Sequence, residues 1–172
     1  MSDVQRRHPQ VVNVSEAQGN ERLTGSRFGF RAKQLSEPAG GRAIGCSWYE
    51  IPPGRAAYPY HFHCMNEEAM FVLEGEATVR IGKDEVACGP GDYVAFPVGP
   101  ATAHQVINRG SGPLRIIALS TKHNADVVGY PDSKKVAGLG VPPGARFGET
   151  PWLRFIVPEG ASVDYFHGER VD

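Results

Sequence analysis

The chain has 172 residues, a length that predicts one domain spanning 1–172 on a prior of about 100–200 residues per domain. Hydrophobic residues make up 41% and charged residues 22%, which excludes a wholly disordered chain. The 18 Lys and Arg against 19 Asp and Glu give a formal net charge of −1, so no global positive field exists to attract nucleic acid or an anionic membrane. We expect neither partner.

Targeting signals and cysteine usage predict a cytoplasmic protein. The first residues lack the continuous apolar segment of a secretion signal, and no stretch approaches the roughly 18 apolar residues of a membrane span. The three cysteines, Cys46, Cys64 and Cys88, are odd in number and form no C-x-x-C pair. This pattern suits a reducing compartment, and we expect Cys64 to serve packing.

The first 42 residues contain five glycines, too many helix breakers for a helical DNA-binding domain, and we expect an N-terminal arm over 1–42. Short alternating or β-branched runs separated by Gly, Pro and Asn then predict a strand-rich barrel core over about 43–120. The runs are AIGCSWYEI, EAMFVLEG, EATVRIG, YVAFP, HQVIN and LRIIALS. We expect a C-terminal extension over 121–172, with WLRFIVP as an added strand.

The strand runs favour an all-β protein built as an antiparallel jelly-roll β-barrel with an arm at each end. No segment keeps an apolar period of 3.6 over ten or more residues, as helix bundles and parallel α/β folds require. The short, evenly spaced strands with turn signals between them are typical of antiparallel barrels and jelly rolls.

A chelating pair of histidines lies at the start of this core. His61 and His63 are separated by one residue, so in an extended strand both imidazoles point to the same face of a sheet. A carboxylate follows at Glu67 or Glu68. His104, on the run HQVIN, is a further candidate.

The run EAMFVLEG followed by EATVRIG predicts a tight hairpin at Glu74 and Gly75, in which Glu68 opposes Ile81. One face of this hairpin is apolar except for Glu68 and is expected to be the interior; its apolar members are Met70, Val72, Ala77, Val79 and Ile81. Glu67 then points outward. An unpaired carboxylate on an apolar face is costly, whereas a nearby divalent cation would offset its charge.

These residues predict one divalent transition metal ion, which could be Fe, Mn, Co, Ni, Cu or Zn. Three imidazoles and one carboxylate form a mixed nitrogen and oxygen set that suits these ions better than Ca or Mg. The predicted metal ligands are His61, His63, Glu68 and His104.

At these positions the chain resembles the cupin superfamily. The first cupin motif is matched by Gly54, His61, His63, Glu68 and Gly75, and the second by Gly91, Pro97, Gly99, His104 and Asn108. Four residues, PATA, precede His104 where two are usual. The surrounding phrases, DVVGYPDSKKV above all, look like a small bacterial group of single-domain cupins, or monocupins, with no assigned reaction. The resemblance implies a jelly roll, a metal and a small-molecule ligand.

Several other polar residues could have a functional role, but a structural role explains each of them as well. Tyr58 and Tyr60 precede the histidine pair and are weak candidates for a catalytic acid or base, although packing in the PYHFH turn is the more common role of such residues. Asn108 is expected to end a strand in a turn. Arg80 is expected to lie outside the barrel, and YPDSKK (130–135) to form a local turn. The remaining histidines, His8, His123 and His167, are expected to be exposed.

Two functions follow from these residues. The first is a metalloenzyme that uses the ion as a Lewis acid on a small oxygen-rich metabolite, in isomerase, lyase or dioxygenase chemistry. The alternative is a non-catalytic module that binds or senses a small ligand through the same cavity. Hairpin parity also places Phe71 and Leu73 on the outer face, where two large apolar groups need a cover. We expect a homodimer to provide it, with the N-terminal arm as the alternative cover.

Overall fold

The computed structural model of the protein describes residues 8–145 and 149–170, and its strand ladders are all antiparallel. The strands in chain order are β1 (Gly19–Thr24), β2 (Phe28–Gln34), β3 (Ile44–Ile51), β4 (Phe62–His63), β5 (Glu68–Glu74), β6 (Ala77–Ile81), β7 (Asp84–Cys88), β8 (Tyr93–Phe96), β9 (His104–Ile107), β10 (Leu114–Thr121), β11 (Ala125–Tyr130), β12 (Lys135–Gly140) and β13 (Leu153–Pro158). Short 3-10 turns lie at Pro100–Thr102 and Pro131–Ser133. Within the described ranges, no helix has the length and apolar character needed to cross a bilayer.

The strands form three sheets. The six-stranded sheet has the order β1-β2-β3-β10-β5-β8, the four-stranded sheet β13-β12-β11-β4, and the three-stranded sheet β7-β6-β9. A backbone bridge between His61 and His104 links the ends of the two smaller sheets. This all-β arrangement confirms the predicted fold class.

The core lies between the sheets and is made by inward-pointing residues of β3, β5, β6 and β10. Ile51, Met70, Val72, Val79 and Leu114 are each at most 1% exposed. Burying a side chain of this size stabilises the fold by about 1.5–3 kcal/mol. The strands that carry the site residues are therefore fixed against one another by packing.

The predicted hairpin between β5 and β6 is wrong. β5 pairs with β10 and β8, whereas β6 pairs with β7 and β9, so the chain passes from one sheet to another at Gly75. The face assignment nevertheless holds, since Met70, Val72, Ala77 and Val79 are all buried. Both sheets face the same interior, and alternate residues of each strand point into it whichever strand is its neighbour.

The terminal segments contribute strands to the sheets. β1 and β2 extend the large sheet beyond β3, and β11 and β12 join β4 to β13. The expected strand in WLRFIVP is present as Leu153–Pro158.

The turn at Gly75 gives a test of this topology. Gly75 has a φ of 85°, and a Cβ added there would lie 2.5 Å from the Pro113 carbonyl oxygen. We expect Gly75→Ala to lower the free energy of unfolding by about 1–3 kcal/mol, as measured by urea denaturation. Gly91→Ala is the control, since Gly91 has a φ of 97° but open space around it. Equal losses in the two variants would contradict the close approach at Gly75.

Candidate metal centre

The candidate site lies in a cavity of about 300 Å³ between the sheets, lined mainly by apolar and aromatic side chains. His61 directly precedes β4, His63 ends β4, Glu68 begins β5 and His104 begins β9. Two backbone hydrogen bonds join His61 and His104, with N to O distances of 3.1 and 2.7 Å. Residues far apart in the sequence are thereby brought side by side.

The four side chains named from the sequence meet at one carboxylate oxygen. The Oε2 atom of Glu68 lies 3.6 Å from Nε2 of His61, 3.4 Å from Nε2 of His63 and 3.3 Å from Nε2 of His104. The ligand atoms of His61, Glu68 and His104 all lie within 4.8 Å of one another, whereas His63 falls outside that tighter group. Glu67 is exposed, as expected.

The opposite ring nitrogen of each histidine faces a hydrogen-bond acceptor. The Nδ1 partners are the Pro59 carbonyl for His61 at 2.9 Å, the Asp126 carboxylate for His63 at 2.5 Å and the Thr102 carbonyl for His104 at 3.3 Å. Because these oxygens can only accept, the network assigns a proton to each Nδ1. In a neutral imidazole of this tautomer, Nε2 directs a lone pair towards Glu68, so the cluster requires a proton or a metal cation between these acceptor atoms.

The electrostatics of the cluster favour a positive charge. Burial would raise the pKa of Glu68, but hydrogen bonds from His104, His61 and His63 hold it well below its usual range. Burial lowers the pKa of His104. Burial also opposes protonation of His63, yet hydrogen bonds and charges from Glu68 and Asp126 raise its pKa to about 9. A cluster that draws in a proton in this way can also accommodate a metal cation.

The donor set fits a transition metal. Two ligands that are each about 2.0–2.2 Å from a shared ion lie roughly 3–3.5 Å apart. The three distances from Glu68 to the imidazole nitrogens, 3.3 to 3.6 Å, are close to that range. The nitrogen-rich set with one carboxylate suits a first-row transition metal.

Sequence reasoning missed Asp126. This residue is 5% exposed, and besides His63 it accepts hydrogen bonds from the Met65 backbone N–H at 3.0 Å and the Asn66 side chain at 2.9 Å. A carboxylate behind a ligating histidine fixes the ring orientation and its tautomer. The sequence feature that could have identified Asp126 is the presence of an acidic residue within the strand-like run ADVVGY.

The two candidate tyrosines have different environments. Tyr58 lines the cavity, and its hydroxyl lies 3.0 Å from that of Tyr49, which also lines it. Burial raises the pKa of both hydroxyls, so both are protonated at neutral pH. Tyr60 instead donates a hydrogen bond to the Gly82 carbonyl, and its ring packs under Arg80 at 3.6 Å.

The structure also shows the surroundings of Arg80, Asn108 and Cys64, for which the sequence suggests no functional role. Arg80 makes two hydrogen bonds to Asp132, at 2.7 and 3.0 Å, and thereby anchors the YPDSKK turn. Asn108 is buried and donates to the backbone carbonyls of Ile51 and Gly112. Cys64 is exposed, which corrects the expectation that it packs.

The long loop before His104 is a compact turn. Its 3-10 segment is closed by the Thr102 hydroxyl, which donates to the Gly99 carbonyl at 2.9 Å. Phe96 stacks on the His104 ring with centroids 3.7 Å apart. The two additional residues therefore do not displace this imidazole from Glu68.

Comparison with known proteins gives a family match and several similar folds. Residues 47–120 match the family model described as Cupin domain. No protein of curated function matches the sequence.

Three solved structures illustrate the range of similar proteins. A proposed sugar phosphate isomerase from Acidithiobacillus ferrooxidans is 26% identical over 87% of this chain and 92% of its own, with a TM-score of 0.72. A sugar phosphate isomerase from Silicibacter pomeroyi is 19% identical over 88% and 94%, with a TM-score of 0.75. The polyketide cyclase RemF from Streptomyces resistomycificus is 19% identical over 69% and 79%, with a TM-score of 0.52. The last two show similarity of fold alone.

Asp126 provides a test of the hydrogen-bond network. We expect Asp126→Ala to lower the free energy of unfolding by about 2–4 kcal/mol, because three donors lose a buried charged acceptor. The measurement is urea denaturation in the presence of a chelator. The matched control is Asp132→Ala, which removes an exposed ion pair with Arg80 and should cost about 0–1 kcal/mol. Similar losses in both variants would contradict the network.

Proposed function

We propose that the chain, whose residues 47–120 match a Cupin domain, is a metal-dependent cupin acting on a small oxygen-rich molecule. His61, His63, Glu68 and His104 would hold one divalent transition metal ion. The observation that carries this proposal is the convergence of three imidazole Nε2 atoms on a single carboxylate oxygen, with each Nδ1 already committed to an acceptor.

A metal ion bound at these residues would supply Lewis-acid chemistry towards a carbonyl or hydroxyl oxygen. The apolar and aromatic lining of the cavity strengthens polar interactions inside it. Tyr58 and Tyr49 line the cavity with protonated hydroxyls; one donates to the other, and the O–H of the second can donate a hydrogen bond that orients a ligand oxygen. Asp126 holds the His63 ring in place through Nδ1.

Within Lewis-acid chemistry, we favour an isomerase over a lyase or a dioxygenase. The support is the similarity, at 26% identity over most of both chains, to a proposed sugar phosphate isomerase. The dioxygenase type is the next candidate.

One observation favours the alternative of a non-catalytic binding or sensing module. Among the cavity-lining residues that the structure describes, Glu68 is the only carboxylate, so no second carboxylate is placed there as a general base. Turnover of a bound carbonyl compound by the metal-loaded protein, followed by NMR, separates an enzyme from a sensor.

Metal analysis tests the centre directly. We expect protein purified without added metal to carry up to one transition metal ion per chain by elemental analysis, and chelation to lower its melting temperature, because the ion joins ligands from separate strands. His61→Ala and His104→Ala should lose both the metal and the chelator response. His123→Ala, at an exposed position, should retain both. Unchanged metal content in the first two variants would contradict the proposed ligands.

We also propose that the protein is a cytoplasmic homodimer. Its cysteines are free, and Phe71, Leu73 and Tyr93 are 38%, 42% and 60% exposed. Phe71 and Tyr93 are cross-strand partners on β5 and β8, so they form one apolar surface on the outside of the large sheet. A second copy of the chain would cover this surface.

Light scattering at micromolar concentration should give the mass of two chains. Phe71→Lys places a charge within the apolar surface and should shift the mass to one chain. Val163→Lys, at a position 70% exposed in the C-terminal segment, should leave the mass unchanged. A single-chain mass for the unmodified protein would contradict the dimer.

A further inference from the structure

Two edge strands direct cationic side chains to the cavity side of their sheets. In β1, Arg22 is the cross-strand partner of Phe30, so the two side chains share a face. The Phe30 ring packs against Tyr49 and Tyr58, with centroids 5.0 and 4.9 Å apart, and both tyrosines line the cavity. Arg22 therefore lies on the cavity face of the large sheet at its outer edge.

The four-stranded sheet has the same feature. Arg154 in β13 is paired with Leu139 in β12, and Leu139 is paired with Asp126 in β11. Since Asp126 is directed towards the metal centre, Arg154 is on the cavity face as well. On that face Lys135 is paired with Tyr130, and its Nζ atom lies 5.2 Å from the centre of the Tyr130 ring.

Tyr130, in the cavity wall, lies on the same face as Lys135 and Arg154. Burial raises the pKa of the Tyr130 hydroxyl, and the positive charges of Arg154 and Arg22 oppose that rise. The Tyr130 ring is stacked on His61 with an interplanar angle of 25° and centroids 6.2 Å apart. Lys135 is thus separated from His61 by one aromatic ring.

Among the residues that the structure describes, these cations have no carboxylate partner. Within residues 8–145 and 149–170, no carboxylate oxygen lies within 4.0 Å of the charged groups of Arg22, Lys135 or Arg154. Arg80, Arg109 and Arg115, in contrast, each pair with a carboxylate. Unpaired guanidinium groups can bind phosphate or carboxylate oxygens through paired N–H donors.

We propose that Arg22, Lys135 and Arg154 form an anion-binding rim at the mouth of the cavity, and that the ligand carries a phosphate or carboxylate group at one end and carbonyl or hydroxyl oxygens at the other. The anionic group binds the rim, while the oxygen functions extend past Tyr130 towards Glu68 and the histidines. This inference rests on the proposed function for the role of the inner end.

Calorimetric titration of the protein as purified tests the rim with four probes: inorganic phosphate, acetate, ribose 5-phosphate and ribose. We expect ribose 5-phosphate to bind at least tenfold more tightly than ribose. Arg22→Gln and Arg154→Gln should each weaken ribose 5-phosphate binding about tenfold, the loss expected for one charged hydrogen bond. Ribose binding should not change. If phosphate binds more strongly than acetate, the anionic group of the ligand is assigned as a phosphate. If acetate binds more strongly, it is assigned as a carboxylate.

Arg31→Gln is the matched control. Arg31 is exposed on β2 and is paired with Glu21, on the opposite face of the same two strands, so its loss should leave all four affinities unchanged. The rim is overturned if the unmodified protein binds none of the probes, or if Arg22→Gln and Arg154→Gln bind them as tightly as it does. Elemental analysis of the same samples distinguishes failure of the rim from failure of the metal centre. Samples that contain the metal but show no preference for ribose 5-phosphate over ribose contradict only the rim.

Discussion

Three imidazole Nε2 atoms converge on one carboxylate oxygen of Glu68, and the surrounding structure holds an arrangement that requires a proton or a cation between these atoms. Buried lone pairs that face one another repel unless a cation lies between them. Each imidazole is fixed through Nδ1, by backbone carbonyls at His61 and His104 and by Asp126 at His63. These contacts prevent the rings from turning away, so the cluster keeps its affinity for positive charge.

The sheets supply the rigidity that this cluster requires. His61 and His104 are joined by backbone hydrogen bonds, and Phe96 stacks on the second of these rings. Behind them, the packed core between the sheets fixes the spacing of the strands. Because interiors are close-packed, a small displacement of one ligand would require movement of several core side chains. The geometry of the centre is therefore a property of the whole barrel core.

The sequence predicted Glu68 as the inward carboxylate, although the hairpin used to place it is wrong. Side-chain alternation along a strand is local, and both sheets face one interior, so the face of Glu68 does not depend on which strand pairs with β5. Asp126 has no such local signature. Its contact with His63 depends on the pairing of β11 with β4, in which Val128 is the partner of His63, and this pairing joins residues far apart in the chain. Reading strand patterns in isolation cannot establish it.

The cavity combines contributions from two parts of the chain. The segment that matches the Cupin domain model, 47–120, contains the four candidate ligands. Arg22 and Arg154 come from β1 and β13, outside that segment, at the free edges of two different sheets. An edge strand can change its side chains without disturbing the packed core, because one of its sides has no neighbour. The proposed rim, which would bind the charged end of the ligand, is thereby separate from the metal centre. The charges of the rim can vary while the geometry of the metal centre is preserved.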